Sequence, residues 1–107
     1  MANPWRGELR LVIDGKAHVL RLTLGALAEL EETLETGALV DLAARFEAGR
    51  YSSRDVLALL VAGLRGGGWR GSAADLLSAE IEGGPLGAAR AAAELLARAF
   101  TTPGAPR

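Results

Sequence analysis

The residues of this chain that could do chemistry are few, and their spacing decides what they are worth. Gly66-Gly67-Gly68-Trp69-Arg70-Gly71 has the spacing G-x-G-x-x-G, which holds a dinucleotide pyrophosphate only where a strand enters it and a helix leaves it, so that amides and a helix N-terminus meet the phosphates. Here a helical pattern precedes it. The run reads as a break between helices, although Arg65 and Arg70 beside free amides would hold an anion weakly. His18 is the single histidine, and nothing near it supplies a nucleophile or a charge-relay partner, so serine-triad chemistry is unsupported and a metal site has a poor start. Glu31 and Glu35 stand at i and i+4 on one helix face, but a di-metal site needs a matching Glu-x-x-His from other helices, which the chain lacks. Without cysteine there is no disulfide and no thiolate chemistry. No catalytic residue, cofactor or metal ligand is expected, and the chain reads as a protein that binds other proteins rather than an enzyme.

The elements that would carry any binding surface are legible in the periodicities. Residues 8–13 and 17–22 alternate polar and apolar around Asp14-Gly15-Lys16, and Asp-Gly between such segments predicts a β-hairpin because glycine supplies the positive φ of the turn. Leu9, Leu11 and Ile13 share one face of the first strand; Leu20, Leu22 and Leu24 share one face of the second, with His18 at the polar end of that row. Two strands alone are marginal in water, so this face must pack on helices.

Five helices follow. Thr23 caps the first, which carries Leu24, Leu27, Leu30 and Leu34 to a stop at Gly37; Leu39, Leu42, Ala43 and Phe46 form a short second helix, turned back on the first as an α-hairpin. Ser52 with Asp55 opens a third helix through Val56, Leu57, Leu59, Leu60, Val61 and Leu64. Its apolar residues cover more than one face, so it is either central or has a face to spare for a partner. Ser72 with Asp75 opens a fourth helix with Leu76, Leu77 and Ile81; Gly83-Gly84-Pro85 ends it and starts a fifth with Leu86, Ala89, Ala93, Leu96 and Phe100. The fold class is α+β: an N-terminal β-hairpin packed on about five short α-helices, a single domain over residues 1–102 with 103–107 as a flexible tail.

At 107 residues, half of them apolar, 23% charged and a net charge of −1, the chain is an ordinary globular domain with one core. No signal-peptide pattern opens it and no run is long enough to span a membrane, so a cytoplasmic location is expected. Charge is divided along the chain. Residues 23–41 hold Glu29, Glu31, Glu32, Glu35 and Asp41 with no Lys or Arg, whereas residues 45–70 hold Arg45, Arg50, Arg54, Arg65 and Arg70 against Glu47 and Asp55. Two opposed zones suit pairing within the molecule or head-to-tail contact between copies. Five arginines also admit a small DNA-binding regulator, disfavoured by the negative net charge. Trp5 and Trp69, each beside an arginine, suit either interface anchors or core plugs.

Arg6-Gly7-Glu8, Leu22-Thr23-Leu24-Gly25-Ala26-Leu27-Ala28-Glu29-Leu30-Glu31, Leu42-Ala43-Ala44-Arg45-Phe46-Glu47-Ala48-Gly49 and Gly63-Leu64-Arg65-Gly66-Gly67-Gly68 together resemble the small tail protein encoded between the major tail protein and the tape measure protein in gene transfer agents and related long-tailed phages. The likeness spans residues 3–100, departs around Trp69 to Ser72, and carries no catalytic group. It implies a role as a tail tube component or as a tail assembly chaperone. The chaperone is the expectation: tape measure chains are long, helical and apolar and need cover before the tube closes, with the major tail tube protein as a second possible partner. A helix-in-groove contact would then fall on Leu57, Leu60, Val61 and Leu64 of the third helix, or on the loop aromatics Tyr51 and Trp69. A tube component is expected to be a β-sandwich or barrel, and only two strands are legible here.

Overall fold

Asp14 and Gly15 take φ of 51° and 80°, the two positive values of a tight hairpin turn, and the turn fixes the register of everything upstream. β1 (Leu9–Ile13) pairs antiparallel with β2 (Lys16–Leu20), Leu9 opposite Leu20, Leu11 opposite His18 and Ile13 opposite Lys16. The computed structural model describes residues 8–33 and 39–100. After the hairpin come α1 (Leu24–Thr33), α2 (Leu39–Glu47), α3 (Ser53–Gly66), α4 (Ala73–Leu77) and α5 (Gly84–Phe100), the expected α+β class. Trp5, Leu34, Gly37 and the expected tail at 103–107 lie outside the described residues.

α3 is the centre of the molecule, with α1, α4, α5 and β2 all packed on it. Its start is fixed locally: the Ser52 hydroxyl accepts from the Asp55 N–H at 3.1 Å while the Asp55 carboxylate accepts from the Ser52 N–H at 3.0 Å, a reciprocal pair that satisfies two otherwise orphaned amides. Thr23 caps α1 through the Ala26 N–H at 3.1 Å, and Asp75 accepts from the Ser72 N–H at 2.8 Å ahead of α4. Leu59, Leu60 and Leu64 of α3 meet Leu20, Leu30, Leu42 and Leu95 in the core.

The end of α3 is shaped by its glycines. The Arg21 N–H donates to the Gly63 carbonyl at 2.9 Å, tying the exit of β2 to the last turns of α3. A Cβ on Gly66 would run into the Arg21 carbonyl oxygen, and one on Gly67 into that of Val19. The glycine-rich run is therefore where a strand backbone lies directly on a helix end, which is why the helix must have no side chains there.

Several expectations from periodicity are corrected. Leu24 belongs neither to the strand row nor to a buried helical stripe: it is the first residue of α1 and 84% exposed, whereas Leu30 of the expected stripe is buried together with Ala26. Of the row expected on α5, Ala89 and Leu96 are buried but Leu86 and Ala93 are exposed; an alanine-rich helix satisfies the helical period on more than one face, and packing also buries Ala88, Ala91, Ala92 and Leu95, whose side chain fills the space left by Gly63. Among the described residues α1 packs on α3 and α2 on α5, and the connection of the expected α1–α2 hairpin lies outside the described residues. Helix four stops at Leu77, and Ile81 leaves it to bridge Ile13. There the Asp14 N–H donates to the Glu80 carbonyl at 2.8 Å, the Glu82 N–H to the Val12 carbonyl at 3.0 Å, and the Glu80 N–H to the Asp14 carboxylate at 2.9 Å, so residues 80–82 line the outer edge of β1. His18 is half-buried on the core-facing row opposite Leu11, where it lines a small cavity of about 280 Å3 together with Trp69.

Candidate functional site

The corner between α2 and α3 is built by three contacts. Arg45 near the end of α2 donates to the Asp55 carboxylate in the first turn of α3 at 3.1 Å; the Arg50 N–H closes the loop on the Arg45 carbonyl at 2.8 Å; and the rings of Phe46 and Tyr51 stack, 4.5 Å between centroids and 5° from parallel. Burial pushes the Asp55 carboxyl up, but the Ser52 backbone N–H, with Arg45 and the Ser52 hydroxyl, outweighs it and holds the group below the usual carboxylate range. Such a group stabilises the fold above its unfolded pKa of about 3.9 and ceases to do so as pH falls through its lower folded value. Asp55→Asn is expected to cost about 1–3 kcal/mol at neutral pH. Urea unfolding of the variant and the parent should converge when both are measured in acid.

This corner sets Tyr51 at one end of an apolar groove of about 800 Å3. α3 contributes Val56, Leu57 and Leu60 to it, α4 contributes Leu76 and Leu77, and the start of α5 contributes Pro85, Leu86, Ala88 and Ala89, with Ile81 between. Leu60 is 1% exposed and forms the floor. Leu77 and Leu86 stand on the rim, 75% and 62% exposed. Fully exposed leucines are unremarkable singly, but two on the rim of one apolar groove form a continuous surface that water covers at a cost.

Of the residues singled out from sequence, Tyr51, Leu57 and Leu60 come together in this groove, Leu60 offering only its buried flank. Val61 packs half-buried against the core, and Leu64 is wholly inside it with 0% exposure, so neither surface nor groove receives it. Trp69 lies elsewhere, half-buried beside Gly66, Gly68 and Ala26 near the start of α1, and packs on the core. Gly71 must lack a side chain because Trp69 occupies its space. Leu77 and Leu86 were missed. The signal was present for Leu77, since two adjacent leucines in a five-residue helix cannot share a face, and for Leu86, since a residue just after Pro85 in the first turn can lie before the buried row begins.

The glycine-rich loop ends a helix rather than linking a strand to one, and Arg65 there is 3.6 Å from Glu29. Among the described residues no group of three or more His, Asp and Glu side chains is placed to hold a metal, and no helix is long and apolar enough to cross a membrane.

What the arrangement offers is an apolar groove with exposed leucines on its rim. A family described as "Phage tail tube protein, GTA-gp10" matches residues 6–102. The chain belongs to that family. No curated protein and no solved structure matches it. As a phage tail protein of this family, the chain has its partners within the tail, in agreement with the resemblance to the tail proteins of gene transfer agents. The tail tube family thus enters here with an α+β member: the strands are confined, among the described residues, to a hairpin and one bridge, and the apolar surface lies among helices.

Proposed function

We propose that this protein is a structural component of the tail tube that takes its place by docking, not by catalysis, and that the groove between α3, α4 and α5 is the docking surface. The observation that carries this reading is the pair of rim leucines, Leu77 and Leu86, over an apolar floor in a member of the tail tube family. Covering a large aliphatic side chain on association is worth up to about 1.5–3 kcal/mol. Leu77→Asp with Leu86→Asp should leave the fold intact, because both side chains are on the surface, and should remove the protein from purified tails. Quantitative mass spectrometry of particles assembled with the parent and with the double variant is the measurement. Equal incorporation of both would remove the groove from the reading.

A second reading, a chaperone of tail assembly that covers the tape measure protein, is favoured by one observation. Only a two-stranded sheet is present among the described residues, whereas a tube wall built from strands draws on larger sheets. A leucine-lined groove between helices also suits an amphipathic helix. The same particle preparation separates the two: a fixed copy number in finished tails supports the component, and binding to the tape measure protein followed by absence from finished tails supports the chaperone.

A further inference from the structure

One peptide bond of the chain is open to a backbone rearrangement. Asp14 precedes Gly15, and a glycine carries no side chain to keep its amide nitrogen from the γ-carbon of the aspartate before it. Asp41, Asp55 and Asp75 are followed by Leu42, Val56 and Leu76, whose branched side chains crowd that approach, and Asn3 is followed by Pro4, which has no N–H to react. Asp14 and Gly15 are both exposed, and a Cβ on Gly15 would meet no atom within 4 Å, so the space around the glycine is open.

The reaction needs only water. The Gly15 nitrogen adds to the Asp14 γ-carbon, the amide proton and the carboxyl hydroxyl leave together as water, and a five-membered succinimide ring forms. Water then reopens the ring. Opening at the γ-carbonyl restores aspartate; opening at the α-carbonyl leaves the main chain running through the β- and γ-carbons, an isoaspartate whose side group is the α-carboxylate. A water lost is a water regained, so the mass does not change.

The fold adds a latch. The Asp14 carboxylate accepts from the Glu80 N–H at 2.9 Å, while the Asp14 N–H donates to the Glu80 carbonyl at 2.8 Å. The carboxylate is thereby held toward residue 80 and not toward the Gly15 nitrogen. The latch belongs to the strap of residues 80–82, which also donates from the Glu82 N–H to the Val12 carbonyl and bridges Ile81 to Ile13. Backbone bonds at an exposed edge of this kind open locally far more often than the whole fold unfolds.

We propose that Asp14 is a modification site gated by the strap: the Glu80 N–H keeps the γ-carbon from the Gly15 nitrogen, each lifting of the strap frees it to close on that nitrogen, and conversion to isoaspartate then prevents the strap from settling back. The last step follows from the turn. Isoaspartate puts an extra backbone atom into a two-residue hairpin loop whose length sets the strand register, and it takes away the acceptor of the Glu80 N–H. Because Ile81 lines the apolar groove as well as bridging Ile13, a change at the turn reaches that wall of the groove.

The test ages the full chain in neutral buffer at physiological temperature. Isoaspartate at residue 14 is measured by chromatography with mass spectrometry, as an isomer separated at unchanged mass, and by methylation with an isoaspartyl methyltransferase. The parent held unfolded in urea should convert faster than the native parent by about tenfold or more. Glu80→Pro removes the latch N–H at an exposed position outside any helix or strand, and should convert about fivefold faster than the native parent. Ile81→Ala keeps every backbone donor and trims only the side chain that seats the strap, so its rate should fall between the two; circular dichroism checks that both variants are folded. Hydrogen exchange of residues 80–82 in the aged parent should show two populations, the fast one growing in step with the isoaspartate. Absence of isoaspartate at residue 14 even in urea would remove the site, and conversion of both variants as slowly as the native parent would remove the gate. A single, unchanged exchange pattern in a converted sample would overturn the release of the strap.

Discussion

Leu64→Ala is expected to lower the free energy of unfolding by about 2–5 kcal/mol, and Leu64→Asp to leave no folded protein at neutral pH. The side chain is 0% exposed in the last turn of α3 and belongs to the cluster that joins Leu20 of the hairpin, Leu30 of α1 and Leu95 of α5. Removing three carbons there opens a cavity bounded by elements that the rest of the fold holds in place, so the walls cannot collapse to fill it. A small domain has only about 5–15 kcal/mol to lose. Leu86→Ala, one of the most exposed leucines, is the matched control and should change stability by no more than about 0.5 kcal/mol. Urea unfolding of both variants gives the comparison, and equal effects would mean that α3 does not sit at the centre of the core.

The contrast between these two leucines also marks what could be read from the sequence. An amphipathic period says that leucines at three- and four-residue spacing share a face; it does not say which face is inside when a helix has two. α3 is apolar nearly all round and central, so its Leu60 and Leu64 serve the core and have little or nothing left for a partner. On α5 the same period places Leu86 with Ala89 and Leu96, and packing buries those two and the neighbouring Ala88, Ala91, Ala92 and Leu95 while leaving Leu86 outside. The surplus of leucine surface inferred from composition exists, but at Leu24, Leu77 and Leu86, where helices begin and end, and not along α3.

Local chemistry is written plainly in the sequence. The Asp14-Gly15 turn, the Ser52 and Asp55 pair, the Ser72 and Asp75 pair at the start of α4 and Thr23 ahead of α1 all stand where residue types within four positions of one another dictated them. What joins distant residues left no such mark. Residues 80–82 lie along β1 because Asp14, 66 positions away, holds Glu80 by its carboxylate, and nothing in Glu80-Ile81-Glu82 announces a strand partner. The groove has the same origin. Its walls come from three helices, and its rim leucines acquire meaning only when α4 and the start of α5 are set side by side against α3.

Gly66→Ala is expected to destabilise by about 1–3 kcal/mol, against the ordinary sign of that substitution. In a helix with open space around it, exchanging glycine for alanine stabilises by about 0.5–1 kcal/mol, because the unfolded chain loses freedom and the helix loses none. Gly25→Ala in α1 should behave so: its backbone has no positive φ and a new Cβ would meet nothing nearer than the Thr23 hydroxyl at 3.9 Å. At Gly66 the new Cβ instead meets the carbonyl oxygen of Arg21, a backbone atom that cannot rotate aside, and Arg21 is itself tied to α3 by its N–H bond to Gly63. Relief requires lifting the end of β2 off the helix, which loosens Leu20 from the core and widens the hairpin's whole seat on α3. The two alanine variants should therefore shift the melting temperature in opposite directions in the same buffer. A Gly66→Ala protein as stable as Gly25→Ala would show that the strand does not lie on the helix end at this distance, and the account of the glycine run as a place of backbone contact would fail with it.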